Sequence, residues 1–222
     1  MSAQFQLQAA LSPERRIDEL CRFIEFWLGR RQRSYGVPAA ALKRVRLPAP
    51  LRKLHAFAGR WPRRVPIPRD PQWNHAFAWQ NCLRPIEHLE YDAEDRVTFL
   101  HENQGVWELR TPAAGDDPPV WQFGDAVPDG RMIADSLSEA LVNCVLQELL
   151  FGSAVCLDED KLRNAASSLT AQADELWSWP HGSDTPAFRF RLGGTVLIGD
   201  LGARWFATND QSALSGGQYR SS

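Results

Sequence analysis

Carboxylates are the side chains of this sequence that most readily suggest chemistry. Asp92, Glu94, Asp95, Glu102, Asp116 and Asp117 lie within one stretch, and paired carboxylates do general acid–base work when a fold sets two of them across a cleft. Their spacing does not place any two across a cleft; most fall in turn-forming segments, where acidic side chains meet solvent. His75, Cys82 and His88 are metal-ligand types, but no close-spaced pair among them would nucleate a site. His181 to Asp184, in HGSD, holds the residue types of a nucleophilic triad, yet neighbours in one loop cannot adopt triad geometry among themselves. Gly193, Gly194, Gly199 and Gly202 miss the dinucleotide-loop spacing, and no esterase, zinc-protease, phosphate-loop or calcium-loop pattern occurs. The residues predict no catalytic set and no metal site.

The elements that must position these side chains read as α+β. Val97 to Phe123, VTFLHENQGVWELRTPAAGDDPPVWQF, holds three alternating runs, with Val97 and Phe99, Trp107 and Leu109, and Trp121 and Phe123 each sharing a side. That pattern predicts a three-stranded antiparallel meander offering one apolar face to a common core. Asn103 to Gly105 suits a tight reversal and Gly115 to Pro119 a longer one. Ahead of it, Ser12 and Pro13 open a predicted helix to about Arg31, with Ile17, Leu20, Cys21, Ile24 and Leu28 at helical spacing. Phe26 falls off that stripe among Arg15, Glu19 and Arg22, where an aromatic side chain could anchor a partner. A short helix is expected over 39–45 and another ending at Gly59. Irregular chain is expected over 61–71 and again over 73–85, packed on the sheet. Ser136 and Glu139 read as a capping box for an apolar helix that stops at Gly152, and a further helix is expected over 158–169. Phe188 to Thr208 reads as a second meander that could extend the first sheet to about six strands in all.

Composition fits one domain over 12–210, in which 12–46 is an N-terminal helical extension, with a flexible 1–11 and a disordered 211–222. The 222 residues are 44% hydrophobic and 23% charged, ordinary values for a globular chain. No apolar run approaches the roughly 18 residues of a membrane span, the start lacks a signal-peptide pattern, and the four cysteines form no CxxC pair. The expectation is a cytoplasmic protein with reduced, buried thiols. The net charge of -2 conceals segregation: Met1 to Asp70 balances at +10, Pro71 to Asp160 at -13 and the remainder at +1. Either the basic segment docks beside the acidic one, or one of them awaits a partner. Arg60, Arg63, Arg64 and Arg69, interleaved with Trp61 and Trp73, make the 60–69 stretch the alternative candidate, for nucleic acid, although no nucleic-acid-binding motif accompanies it.

ENQGVW, then GDDPPVW, then a spacer and the SLSEAL helix resemble the SUKH superfamily, the Smi/Knr-type domain of fungal cell-wall regulators and bacterial toxin-immunity proteins. LPAPLRKLHAFAGRWP is similar to that family's early helix, and the resemblance runs from about Leu47 to Asp210. It implies a single α+β domain with a curved, mainly antiparallel sheet packed by helices on one side, no catalysis and no cofactor. It also implies a protein partner, most often a toxin neutralised by occlusion. The residues expected to meet that partner are Glu102, Asp116, Asp117, Asp92, Glu94, Asp95 and Phe26.

Overall fold

The computed structural model describes residues 5, 7–8, 10–66, 73–162, 165–178 and 188–214. Three helices come first: α1 (Pro13–Leu28), α2 (Ala39–Leu42) and α3 (Ala49–Ala58). Six strands follow: β1 (Asn81–Leu83), β2 (Glu90–Tyr91), β3 (Arg96–Glu102), β4 (Trp107–Pro112), β5 (Val120–Gly124) and β6 (Val127–Ala134). Helix α4 (Leu137–Phe151) leads to β7 (Val155–Asp158) and two short helices, α5 (Glu159–Leu162) and α6 (Ala165–Ala171). The chain closes with β8 (Asp174–Ser178), β9 (Arg189–Gly193), β10 (Val196–Asp200) and β11 (Arg204–Thr208).

The class is α+β, and every strand pairing is antiparallel. The first sheet runs β1-β3-β4-β5-β6 with β2 beside β3; the second runs β7-β11-β10-β9-β8. The second meander thus builds a sheet of its own and does not extend the first. A strand missing from the sequence reading, β7, closes its edge against β11.

Helix α4 is the hub. Its sequence LSEALVNCVLQELLF is apolar almost all round, which suits a helix with neighbours on every side, and only Glu139, Gln147 and Phe151 escape full burial. It packs on α1 and α3, on β6 of the first sheet and on β10 and β11 of the second. One core cluster therefore runs from Ile17 and Leu54 through Val97, Phe99, Leu109 and Val120 to Phe190 and Leu197. A smaller cluster, Leu162, Ala166, Val196, Ile198 and Phe206, fills the far face of the second sheet. Strand β10 is consequently buried on both faces. Gly199 is needed there: a Cβ would stand 2.7 Å from the Leu150 side chain.

Local chemistry explains most boundaries. Pro13 starts α1, but Gly29 adopts a positive φ of 96°, so the helix stops at Leu28 and does not reach Arg31. The Ser136 hydroxyl accepts from the Glu139 amide at 3.3 Å, one half of the expected capping box. Asn81–Leu83, expected to be irregular, pairs with β3, and β6 fills a segment left without structure in the sequence reading. The helix expected over 158–169 is two short ones. Phe5 and Leu7 are buried in the main core, so the start is not free chain there; 1–4, 6 and 9 lie outside the described residues. Gln211–Leu214 forms a 3-10 turn, while the rest of the expected tail, together with HGSD at 181–184 and Arg69, lies outside them too.

The charge segregation is met within the fold. Arg16 lies 3.7 Å from Asp117 and 3.5 Å from Glu139, Arg46 is 2.5 Å from Asp95, and Arg60 is 2.7 Å from Glu87. The basic N-terminal segment docks on the acidic middle.

A candidate binding cleft on the outer sheet face

The two faces of the first sheet differ in character. Register decides which side each residue takes. Val97 faces Thr111, Leu100 faces Leu109, and a shift between Thr98 and Leu100 puts Phe99 and Leu100 together on the inner side. The shift is a bulge, which adds one residue to a strand and re-aims those that follow. His101 then falls on the outer face opposite Glu108, and Arg110 lies opposite both Thr98 and Trp121. Phe123, opposite Glu108, and Met132, opposite Trp121, are outer residues as well. This overturns the expectation of one shared apolar side: Trp107 and Leu109 pack with the core, whereas Trp121 and Phe123 face away from it. Val120 supplies the inward residue of β5.

Phe123 is nonetheless 7% exposed, because charge rather than hydrocarbon covers it. The Arg110 and Arg96 guanidiniums lie 4.2 and 4.8 Å from its ring centroid, within cation–π range. On its other side Gly130, at φ 81°, leaves no room for a Cβ, which would sit 2.5 Å from the ring. The guanidiniums are themselves held. Arg96 donates to Asp92 at 2.7 Å and to Glu94 at 2.9 Å; Arg110 donates to Glu108 at 2.6 Å and to Asp92 at 3.1 Å. Arg84 lies 2.8 Å from Glu90 and 3.6 Å from Glu108. Partial burial would raise the Asp92 carboxyl, but hydrogen bonds from the Arg96 amide and from the Arg96 and Arg110 side chains hold it below the usual range.

Arg84, Glu94, Arg96, Glu108, Arg110 and Phe123 line a cleft of about 580 Å³, with Val106 and Trp107 near the β3–β4 turn, Asp125 at the β5–β6 turn and Asp129 in β6. His101 also lines it, its ring tilted against Trp73 at 5.4 Å. Burial, and then the neighbouring Arg84 charge, lower the His101 pKa from its ordinary value, and among the described residues its buried Nε2 has no hydrogen-bond partner. Beside the cleft, Met132 and Val106 are exposed and Trp121 is half-buried. Such a surface of rigid aromatics, Met and pre-ordered Arg has the composition of protein-recognition sites. Among the described residues no group of three or more His, Cys, Asp or Glu could hold a metal ion, and no helix is long and apolar enough to cross a membrane.

The residues expected to meet a partner are scattered by the fold. Glu94 lines the cleft, and Asp92, behind it, holds Arg96 and Arg110. Glu102 accepts from the amides of Gln104 at 2.7 Å and Val106 at 3.4 Å, and with Gly105 at φ 73° it shapes the turn at the cleft's end. Asp95, itself at φ 59°, turns to Arg46. Asp117 accepts from the Ser138 amide and the Ser136 and Ser138 hydroxyls at the start of α4, a structural position, whereas Asp116 is exposed. Phe26 is half-buried, 5.0 Å from the Phe5 ring. The nucleic-acid stretch is largely spent within the fold: Arg60 pairs with Glu87, Trp61 is buried, and Arg63 stacks on Trp79 at 3.6 Å while donating to the Ala78 carbonyl.

Sequence reasoning missed Arg84, Arg96, His101, Glu108 and Arg110. Their signal was present as period-two alternation, Glu108 with Arg110 and Trp121 with Phe123, but the bulge and the side taken by β5 were not readable. Glu148 was missed as well. This buried α4 carboxylate accepts from the amides of Trp79, Gln80 and Asn81 at 2.5, 3.0 and 2.8 Å.

Comparison with family models, with curated proteins and with solved structures returned no match.

Proposed function

We propose that this chain is a non-enzymatic protein-binding domain that takes its partner on the outer face of the first sheet. In its specific form the reading is a SUKH-type immunity protein that neutralises a toxin by occlusion. The observation that carries it is the cleft, together with the half-buried Trp121 and the exposed Met132 beside it. The helices pack on the opposite face, so this one is left to solvent, and it presents apolar anchors within a charged rim. The guanidiniums of the cleft are engaged with Asp92, Glu94 and Glu108, an arrangement suited to pre-ordered recognition more than to turnover. Carboxylates outnumber guanidiniums along its lining, which favours a basic partner and fast, salt-sensitive encounter. The ENQGVW and GDDPPVW resemblance supplies the toxin.

Tagged chain, passed through lysate of the native host, tests this. The expected result is one stoichiometric protein held by the wild type and lost with the Trp121→Asp, Met132→Asp double variant. Expression of that protein alone should arrest growth, and co-expression of this chain should restore it. A captured protein that is harmless, or that both versions hold equally, contradicts the proposal.

A further inference from the structure

Docking of the basic N-terminal segment on the acidic middle uses Arg16, Arg46 and Arg60 and leaves part of that segment over. Between α1 and α3 the chain carries six cations, Arg30, Arg31, Arg33, Lys43, Arg44 and Arg46, and no acidic residue. Two of the six are engaged: Arg31 donates to the Phe57 carbonyl at 2.8 Å, and Arg46 pairs with Asp95. Arg30, Arg33, Lys43 and Arg44 are exposed, and among the described residues their side chains make no hydrogen bond or ion pair. Two acidic groups that meet this stretch are already committed. Glu25 accepts from the Arg31 amide at 3.0 Å, and Asp95 is taken by Arg46.

The fold lays this connection along α3. Near the C-terminal end of α3 the Val37 amide donates to the His55 carbonyl at 2.9 Å, and the Arg60 amide to the Tyr35 carbonyl at 2.8 Å. Toward its N-terminal end the Arg52 guanidinium donates to the Leu42 and Leu47 carbonyls at 2.7 and 3.2 Å. One side of the connection is thus spent on α3, which leaves the other to its exposed side chains. Arg30 and Arg33 stand toward one end of the helix, Lys43 and Arg44 toward the other. Helix α3 has 10 residues, a length of about 15 Å at a rise of about 1.5 Å per residue. One strand of a nucleic-acid duplex, with a phosphate about every 3.4 Å along its axis, sets about five phosphates over that span.

The strip offers charge without an apolar anchor. The large apolar side chains left exposed are Val65, Tyr91, Val106 and Met132; none falls within 29–46, so the strip lacks what a protein interface or a membrane surface takes hold of. Gln32 and Ser34, exposed between the cations, add neutral donors of the kind that phosphate oxygens accept. Three of the four free cations are arginines, whose forked N–H groups fit phosphate.

We propose that this strip, 30–44, binds the phosphate backbone of nucleic acid without regard to base sequence, through Arg30, Arg33, Lys43 and Arg44. It takes the place of the 60–69 stretch, whose cations the fold largely spends, and it stands whether or not the outer-face cleft binds a protein.

The probe is a short fluorescein-labelled DNA duplex of mixed sequence, titrated with the full chain between about 50 and 200 mM salt, with anisotropy as readout. Four phosphate contacts predict a slope of log K against log salt of about −3.6. The quadruple variant Arg30→Gln, Arg33→Gln, Lys43→Gln, Arg44→Gln should lose at least about tenfold in affinity at the low-salt end. Arg33→Gln alone, which serves if circular dichroism shows the quadruple variant unfolded, should flatten the slope by about 0.9. A duplex of unrelated sequence should bind equally, and the Trp121→Asp, Met132→Asp cleft variant should bind as the wild type does. The proposal is overturned by the absence of saturable binding up to about 100 μM protein, the weak end of non-specific affinities. Unchanged affinity and slope in the strip variants, or loss of binding in the cleft variant, would do the same. So would displacement of the duplex by polyglutamate as readily as by unlabelled duplex of equal charge, which would mark a surface for acidic protein.

Discussion

At the residue scale, Glu148 shows how one side chain can specify a path for the backbone. Its two oxygens take three successive backbone amides and the Asn81 side-chain N–H, the last at 3.3 Å, and so pin the chain entering β1 against α4. Burial pushes its pKa up to about 7, while the bonds from Trp79, Asn81 and Gln80 pull the other way. Glutamine would keep one acceptor and turn an NH₂ group toward amides that also donate. At least one buried donor is then left without an acceptor, which costs about 1–3 kcal/mol. Glu148→Gln is therefore expected to lower the urea midpoint by that equivalent with an unchanged slope; an unchanged midpoint would remove the carboxylate from this account. No local signal marks this role, because Glu148 sits in an apolar helix and its partners come from another part of the chain. Its acceptors' partners lie 67 to 69 positions away, and spacing arguments reach only a turn or two.

At the scale of elements, what was legible followed from periodicity and caps. Proline at the start of α1, the Ser136 cap of α4, Gly105 at positive φ and the alternation of β3 and β4 are local signals, and the corresponding elements are in place. What failed depended on partners distant in sequence. Trp121 and Phe123 read as inward because alternation fixes two sides without saying which is buried. Here the inward side went to Val120, and guanidiniums on β3 and β4 covered Phe123. Strand β6 escaped notice because Pro128, Asp129 and Gly130 look like loop. Those residues belong to an edge strand whose register shifts against β5; charges, proline and bulges discourage edge-to-edge pairing. The second sheet formed separately because α4, apolar all round, needed a wall on its other side. The candidate site was therefore half legible: its acidic residues Asp92 and Glu94 were named, and the arginines that organise it were not.

At the scale of the molecule, buried ionisable groups set a pH window. Burial lowers His55 to about 4 and His75 to about 3, from an ordinary 6.5. Both are neutral when folded, so their contribution is complete above pH 6.5 and is lost as pH falls toward those values. Glu148 works oppositely: its raised pKa favours the folded state at low pH, and that contribution fades between 4.5 and about 7. Between pH 4.5 and 6.5 the unfolded chain takes up the histidine protons that the folded chain refuses, against the one carboxyl proton the folded chain keeps, so stability should rise with pH across that window. Burial also pushes the Cys21 and Cys144 thiols up to about 12 from 9.0, so stability is expected to fall again as pH rises above 9.0. Chemical denaturation across pH 4 to 10 checks both limbs; a profile flat below 6.5 would mean that the histidines are not buried as neutral rings.

We propose the outer face of the first sheet as the recognition surface. Amide hydrogen exchange, compared between the free chain and the chain saturated with its captured partner, tests it most directly. Slowed exchange is expected at the turns and strands around the cleft, 102–110 and 121–133, with α4 and the second sheet unchanged. Protection confined to α1, to the basic segment 60–66 or to the second sheet would contradict it.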